Sequence, residues 1–312
     1  MFIGFDLGGS KLEYHVFDNE WQVVEIQRIS VACLSYQEIL RVIEHSVNQL
    51  RRSFGKEQFI GLATPGTIDR FTGRIRNAPS SPINGHELVS DLKTIVGAEF
   101  YLVNDANAFV YSEALDGAAR EGDVVFGAIL GTGVGGGLVV NGELLQGVNG
   151  IAGEWGHGFL PVLDFSDYPE FSKFIFQCPC GELNHIESVL SGRGLEKIFK
   201  QASGLCLNAE DIVSKARLSD PVATKVFNFY LDMLARSLAS VVNLIDPDII
   251  VFGGGMSQVD EIYGISSLVE KYAFVDNLKT KFMPPKYGDA SGAKGAAQIA
   301  WKIKFSIENQ SQ

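Results

Sequence analysis

The sequence predicts an α/β fold built from two domains. Apolar runs with strand character alternate with segments whose apolar residues recur at helical spacing. The length of 312 residues exceeds one ordinary domain. A strand, a glycine-rich turn and a second strand occur at residues 2–17 and again at residues 125–140. We therefore predict one such hairpin in each domain, with the two hairpins holding the phosphates of a nucleotide.

Composition limits the classes of partner. An apolar fraction of 46% allows a large core and requires no disorder. A net charge of -11 disfavours nonspecific nucleic-acid binding, which depends on Lys and Arg. No segment approaches the ~20 apolar residues that span a bilayer, and Asp6 stands where an export signal would be basic. We expect a soluble, cytoplasmic protein that binds a small molecule, with neither nucleic acid nor membrane as a partner.

The first hairpin has the residues of an anion-binding turn. Strands are predicted at residues 2–6 and 12–17, with a third at 23–29 completing a meander. In the turn Gly8-Gly9-Ser10-Lys11, the glycines let backbone N–H groups approach an anion. Ser10 adds a donor and Lys11 adds a positive charge. An ordinary tight turn is the alternative interpretation.

A candidate catalytic carboxylate follows the strand predicted at residues 100–103. Asn104 and Asp105 come next, and a helix is predicted at residues 108–119. Asp105 would therefore lie at the carboxyl end of a strand, where open α/β sheets bind ligands. The alternative is a purely structural helix N-cap. The preceding segment 74–86 is long and rich in turn residues, which favours a binding loop.

The second hairpin is a phosphate-binding candidate. Glycines within residues 131–137 match the G-x-G-x-x-G spacing, but a strand follows them, whereas a dinucleotide fold requires a helix. We therefore exclude dinucleotide binding and retain phosphate binding. A buried strand at 249–252 leads into Gly253-Gly254-Gly255, where a flat ligand such as adenine could contact the backbone. Helices are predicted at residues 35–54, 191–201, 209–217, 220–244 and 289–305.

Four side chains suggest a zinc site. His157, Cys178, Cys180 and His185 form an N2S2 set that suits tetrahedral zinc, and a site without an open position would be structural. The alternative is unrelated buried thiols and ordinary histidines. Glu154 and Glu187 flank the set and could accept hydrogen bonds from a polyhydroxylated ligand. Cys33 and Cys206 are predicted to be plain buried thiols.

Five motifs together resemble the signature of the ROK sugar kinases. They lie at residues 6–11, 104–107, 131–137, 154–157 and 253–257. The resemblance implies an α/β actin-like ATPase (ribonuclease H-like) fold with two lobes and a cleft between them. The lobes would be residues 1–118 and 119–312, with the C-terminal helix packing back on the first. The implied activity is ATP-dependent phosphorylation of a hexose hydroxyl by a homodimer.

The resemblance also assigns residues to roles. Asp105 would be the catalytic general base. The sugar would be bound by Asn104, Asp105, Glu154, His157 and Glu187. The nucleotide, with Mg2+ near Asp6, would be bound by Asp6, Gly8, Gly9, Ser10, Lys11, Gly131, Thr132, Gly133, Gly254 and Gly255.

The zinc motif departs from the family pattern. Members of the family usually read C-x-C-G-x-x-G-C, and here Asn184 and His185 replace the final Gly and Cys. Histidine is a good zinc ligand, and asparagine can adopt the left-handed backbone that glycine permits. We therefore expect structural zinc bound by two cysteines and two histidines.

Three stretches, residues 113–119, 152–157 and 242–248, suggest the fructokinase, or manno(fructo)kinase, branch. We therefore expect phosphorylation of the 6-hydroxyl of fructose, with mannose as a second substrate. The alternatives are an N-acetylglucosamine kinase, for which we expect a residue other than Trp155, or a glucokinase. A non-catalytic sugar sensor or transcription regulator is the alternative from another class. Regulators of this family carry a basic helix-turn-helix ahead of the position of Asp6, for which this sequence leaves no room.

Overall fold

The computed structural model describes residues 1–55, 59–69, 71–78, 81–161 and 165–310. Its strands are β1 (Phe2–Leu7), β2 (Lys11–Phe17), β3 (Val23–Ser30), β4 (Phe59–Thr64), β5 (Thr67–Ile68), β6 (Ile75–Arg76), β7 (Phe100–Asn104), β8 (Val124–Leu130), β9 (Val134–Val140), β10 (Glu143–Leu144), β11 (Ile249–Gly253) and β12 (Lys281–Met283). Its helices are α1 (Tyr36–Phe54), α2 (Leu88–Val96), α3 (Asp105–Leu115), α4 (Glu187–Leu190), α5 (Gly192–Ser203), α6 (Ala209–Arg217), α7 (Pro221–Ile245), α8 (Ser266–Tyr272) and α9 (Ser291–Gln310).

The chain divides into two compact units. The first comprises Met1–Asp116, Leu144–Ala152 and Tyr287–Gln312, and the second comprises Gly117–Glu143 and Gly153–Lys286. Each unit has its own five-stranded sheet and its own apolar core. The predicted α/β fold is therefore confirmed.

In the first unit, a mixed sheet has the strand order β3-β2-β1-β4-β7. The strands β1, β2 and β3 form the predicted antiparallel meander, and β1, β4 and β7 run parallel. Helix α9 lies directly against β1 and β4, because a Cβ at Gly4 or Gly61 would overlap the α9 backbone. The opposite face of the sheet buries the apolar sides of α1 and α2.

The parallel strands of the first unit bring their carboxyl ends to one edge of the sheet. Asp6 of β1 is in register with Ala63 of β4, and Thr64 of β4 is in register with Asn104 of β7. Asp105 follows as the first residue of α3. The candidate carboxylates Asp6 and Asp105 are therefore presented at the same edge.

The second unit contains a sheet of order β10-β9-β8-β11-β12. The strands β8 and β9 form the second predicted hairpin, and β11 runs parallel to both β8 and β12. The long helix α7 begins after Asp220, whose side chain accepts hydrogen bonds from Val222 N and Ala223 N. It ends at Asp246, which has the left-handed φ of 44°. Its apolar residues contribute about a third of the buried core of this unit.

Several local predictions are corrected. Helix α3 spans residues 105–115 rather than 108–119, because the side chain of Asn104 caps it three residues earlier than predicted. The glycine turn of the second hairpin is only residues 131–133, because β9 already begins at Val134. Cys33 and Cys206 are exposed rather than buried.

The segment predicted as a binding loop, residues 74–86, contains the short strand β6, and its positions 79 and 80 lie outside the described residues. Across the described part of the chain, no helix combines the length and the apolar character needed to cross a bilayer.

Candidate active site

Asn104, rather than Asp105, caps helix α3. The Oδ1 atom of Asn104 accepts hydrogen bonds from Ala106 N at 3.0 Å and Asn107 N at 3.2 Å. Its Nδ2 atom donates to Gly66 O at 2.9 Å. The side chain of Asn104 is thus anchored to both α3 and the turn after β4, and it fixes the start of the helix that carries Asp105.

The side chain of Asp105 is left accessible by this arrangement. Asp105 keeps accessible surface while protein surrounds its carboxylate, and its Oδ1 atom accepts a hydrogen bond from Ala106 N at 2.8 Å. Desolvation by the surrounding protein raises the pKa of Asp105 above its ordinary value, although the hydrogen bond from Ala106 N acts in the opposite direction. A carboxylate with a raised pKa is a stronger base, as general-base chemistry requires.

The first hairpin is closed by a hydrogen bond from Gly8 N to Lys11 O at 2.9 Å. A Cβ at Gly9 would meet no atom within 4 Å, so the outer side of this turn is open. Ser10 is exposed, and Lys11 lies at the start of β2. Asp6 precedes the turn, and its Oδ2 atom would lie 2.6 Å from a Cβ at Gly292, so this carboxylate lies directly against the first turn of α9.

The second hairpin adjoins the glycines that follow β11. Gly131 N donates to Gly133 O at 3.0 Å, which closes the turn around the exposed Thr132. Gly254 has a φ of +77°, and its Cβ would lie 2.6 Å from the Leu130 carbonyl oxygen and 2.7 Å from Gly131 N. Only glycine fits this position. Gly131 and Gly254, both predicted to bind the nucleotide, therefore pack backbone against backbone within the second unit. Gly255 is exposed, and a Cβ there would meet nothing within 4 Å.

The four predicted metal ligands come together in the second unit. One ligand atom each from His157, Cys178, Cys180 and His185 lies within 4.8 Å of every other. His157 Nδ1 is 3.9 Å from Cys178 Sγ, and His185 Nδ1 is 3.3 Å from Cys180 Sγ. Nitrogen and sulfur ligands on a tetrahedral zinc lie roughly 3.3–3.8 Å apart, given Zn–N and Zn–S bonds of about 2.0 and 2.3 Å. The residues present therefore fit zinc in donor type and number, although the separations of up to 4.8 Å would have to shorten around a bound ion.

The backbone around these ligands explains the departure from the family pattern. Asn184 has a left-handed φ of 60°, the conformation that the replaced glycine would supply. Leu160 N donates to Asn184 O at 2.7 Å and Ile186 N donates to Gly158 O at 2.8 Å, so the segment bearing His185 pairs with the segment after His157. Burial raises the pKa of the Cys178 thiol to about 12, so a metal that binds there must displace its proton.

Glu187 joins the ligand cluster to the second hairpin. Its Oε2 atom accepts a hydrogen bond from Val134 N at 2.8 Å, at the start of β9, and its Oε1 atom lies 3.9 Å from Cys178 Sγ. Glu154 is half-buried and is followed by the short 3-10 turn that contains the exposed His157. The candidate sugar-binding residues Glu154, His157 and Glu187 thus belong to the second unit, whereas Asn104 and Asp105 belong to the first.

The two units each contain a sheet with a glycine hairpin, and the first unit presents a carboxylate at the end of a strand. Comparison with known sequences identifies the family that has these features. The ROK family profile matches residues 2–303, and the chain belongs to this family. It is a sugar kinase with the actin-like ATPase fold. Its relatives include the N-acetyl-D-glucosamine kinase of Pectobacterium atrosepticum, which is 36% identical over 96% of this chain and 98% of that protein. The N-acetyl-D-glucosamine kinase of Histophilus somni is 34% identical, with coverage of 96% and 98%.

Solved structures show the same fold. The ROK hexokinase from Thermus thermophilus superposes with a TM-score of 0.84 at 26% identity, covering 97% of this chain and 99% of that one. A ROK family glucokinase from Streptomyces griseus, solved in complex with glucose and AMPPNP, has a TM-score of 0.78 at 25% identity, with coverage of 96% and 99%.

The predicted fructokinase specificity is wrong, because the curated relatives that match nearly the whole chain are N-acetyl-D-glucosamine kinases. Each of the three stretches that suggested fructokinase contains a residue that is hydrogen-bonded within the fold. Trp155 Nε1 donates to Gly135 O at 2.7 Å. The buried Glu113 accepts from Tyr287 N at 2.9 Å, and Asp248 accepts from Val124 N at 2.9 Å. These hydrogen bonds give Trp155, Glu113 and Asp248 a structural role.

Proposed function

We propose that this protein transfers a phosphoryl group from ATP to a hydroxyl of N-acetyl-D-glucosamine. The observation that carries the proposal is the identity of 34–36% to N-acetyl-D-glucosamine kinases over nearly the full length of both chains. ATP as the donor is supported by the related glucokinase that binds glucose together with AMPPNP. The acceptor we propose is the 6-hydroxyl, because a primary alcohol is the least hindered nucleophile of the sugar.

The chemical step needs a base for that hydroxyl, and we assign this role to Asp105. Phosphoryl transfer asks the protein mainly for positioning and charge neutralisation, with a carboxylate to accept the proton of the attacking alcohol. Asp105 is exposed, has a raised pKa and begins a helix fixed by Asn104. Its Oδ1 atom accepts a hydrogen bond from Ala106 N, which restrains the carboxylate that would receive the proton.

The sugar would be held by Glu154, His157 and Glu187, with Asn104 keeping Asp105 in place. Carboxylates accept hydrogen bonds from sugar hydroxyls, and an imidazole can donate or accept. Glu187 also accepts a hydrogen bond from Val134 N. This contact joins a carboxylate that we assign to the sugar to the hairpin that we assign to the phosphates.

For the nucleotide, we assign the phosphates to the two hairpins and the adenine to the glycines after β11. The open outer side of Gly9 and the packing of Gly254 against Gly131 support this assignment. Asp6 is proposed as the carboxylate nearest Mg2+, since hard oxygen ligands are those that Mg2+ prefers.

Zinc is proposed as a structural ion held by His157, Cys178, Cys180 and His185. When bound, it would cross-link the two segments that carry the histidines. His157 would then be restrained in tautomer and ring orientation by its own coordination, which would keep its other nitrogen available to a sugar hydroxyl.

A panel of sugars tests the proposed function. ADP release is measured with purified protein, MgATP and either N-acetyl-D-glucosamine, N-acetyl-D-mannosamine, glucose, mannose or fructose. We expect kcat/KM to be highest for N-acetyl-D-glucosamine. A higher kcat/KM for a sugar without an acetamido group would refute the assignment of substrate, while leaving the kinase activity established.

A further inference from the structure

We propose that Glu13 is a positioning residue that holds Lys11 for the phosphates of the nucleotide. Glu13 lies on β2, two residues after Lys11, so both side chains emerge on the same face of the sheet. The inference rests on the proposed nucleotide-binding role of Lys11, and it adds a buried carboxylate that sets the position of that lysine.

The carboxylate of Glu13 is almost completely buried and is contacted by three basic side chains. Its Oε1 atom lies 2.8 Å from His15 Nε2, and its Oε2 atom lies 2.6 Å from Arg28 Nε and 3.6 Å from Lys11 Nζ. The side chain of Glu13 is only 5% exposed, whereas that of Lys11 is 39% exposed. The cluster therefore has a fixed, buried end at Glu13 and a solvent-accessible end at Lys11.

Glu13 is held rigidly by neighbours on its own strand and the next. His15 is buried two residues further along β2, and because an ionised carboxylate only accepts hydrogen bonds, His15 Nε2 is the donor. Arg28 of β3 is directly opposite Glu13 in the strand register. Burial raises the pKa of Glu13, but the hydrogen bonds from His15 and Arg28 and the charge of Lys11 outweigh it and hold the pKa below its ordinary value. Glu13 is thus a fixed negative charge at neutral pH.

The position of the cluster connects it to the nucleotide site. On the other neighbouring strand, β1, the residue directly opposite Glu13 is Asp6, the carboxylate assigned to Mg2+. Residues directly opposite on antiparallel strands have Cβ atoms roughly 4.5–5.5 Å apart and lie on one face. Lys11 closes the turn after β1 through its carbonyl, which accepts from Gly8 N. Glu13 therefore lies beside both charged residues that we assign to the phosphates and their metal ion.

Arg28 explains why Glu13 can orient Lys11 without neutralising it. Glu13 carries one negative charge and contacts two cations, Lys11 and Arg28, so its charge is shared between them rather than given to Lys11 alone. Arg28 also makes the shorter contact with the shared Oε2 atom. The ammonium of Lys11 is consequently restrained yet remains attractive to phosphate, which a Lys–Glu pair alone would not be.

The variant Glu13→Gln separates positioning from simple electrostatics. Removing the negative charge raises the net charge of the cluster, so electrostatics alone predicts tighter phosphate binding. Loss of position predicts weaker binding. We expect Mg·AMPPNP, titrated into the full-length protein by calorimetry, to bind Glu13→Gln about tenfold more weakly, the loss expected when one charge-assisted phosphate contact is misplaced. Binding as tight as in the parent protein, or tighter, would overturn the proposal.

Three further measurements make the test specific. The control Glu25→Gln removes a carboxylate of β3 that accepts from Tyr14 OH, and we expect it to leave AMPPNP affinity unchanged. In a Lys11→Met background, Glu13→Gln should cause no additional loss, whereas a purely structural role would give additive losses. KM for ATP should rise in Glu13→Gln, while KM for the sugar stays within about twofold of the parent.

Arg28→Gln keeps the test decisive if Glu13→Gln does not fold. The side chain of Arg28 is 59% exposed and the amide of Gln can still donate a hydrogen bond to Glu13, so the replacement should leave the fold intact. Glu13 would then neutralise Lys11, and AMPPNP should again bind about tenfold more weakly. Parent-like affinity of Arg28→Gln would overturn the proposal. Because these titrations contain no sugar, they are independent of which sugar the protein phosphorylates, and failure of the proposed substrate in the sugar panel is a separate outcome.

Discussion

Replacing Asp105 by Asn tests the assignment of the catalytic base. The fold should tolerate the change, because the amide oxygen of Asn can still accept the hydrogen bond from Ala106 N that Asp105 makes at 2.8 Å. The raised pKa of Asp105 means that the fold disfavours its ionised form, so a neutral side chain should leave the melting temperature equal or slightly higher. General-base catalysis typically contributes about 10²–10⁴-fold, which corresponds to about 3–5 kcal/mol of barrier.

The assay follows ADP release in the presence of N-acetyl-D-glucosamine and measures sugar binding separately by calorimetry. We expect kcat of Asp105→Asn to fall by roughly 10²–10⁴-fold, with sugar affinity within about threefold of the parent. The matched control is Asp220→Asn, which makes the same change where a carboxylate accepts backbone N–H groups at the start of α7. A kcat for Asp105→Asn within about tenfold of the parent, a barrier change of only ~1.4 kcal/mol, would remove Asp105 from the base role.

Four further outcomes follow from the structure. Cys180→Ser should lower bound zinc from one ion per chain to a small fraction, measured by elemental analysis; full zinc content would contradict the ligand set. Gly254→Ala should raise KM for ATP and lower the melting temperature, because φ is +77° and the Cβ overlaps Leu130; parent-like values would refute the close packing. Trp155→Phe should destabilise the fold by about 1 kcal/mol through the lost bond to Gly135 O, without changing sugar preference, and a switch toward fructose would contradict this. In urea unfolding, the free energy of unfolding of the parent should exceed that of Glu13→Gln by its full amount above pH 4.5. This difference should shrink as the pH falls through the lowered pKa of Glu13, and a difference that grows on acidification would contradict the prediction.

Local patterns in the sequence predicted most of the fold. The alternating apolar residues within 2–17 predict strands β1 and β2, and the apolar stripe of α1 predicts that helix. Ser35 and Glu38 form a capping box at the start of α1. The sequence also predicted the four-ligand cluster, whose members the structure brings together from two separated segments. Asn104 and Asp105 are both good caps, and the hydrogen bond from Asn107 N to Asn104 Oδ1 identifies Asn104 as the residue that caps α3.

The sequence was less informative where a residue's role depends on its neighbours in space. The stretches that contain Trp155 and Glu113 suggested a substrate, but each of these side chains is hydrogen-bonded to a backbone group that is distant in sequence. Glu13 was not singled out at all. The spacing of Lys11, Glu13 and His15 does place all three on one face of β2, but the contact that gives Glu13 its significance comes from Arg28 on the neighbouring strand.

The most direct test of the account is a competition between two sugars. Purified protein is incubated with MgATP and equal concentrations of N-acetyl-D-glucosamine and fructose, and the phosphorylated products are identified by NMR. The account predicts that N-acetyl-D-glucosamine 6-phosphate forms first and in large excess. Preferential formation of a fructose phosphate, or phosphorylation at a hydroxyl other than the one on C6, would contradict it.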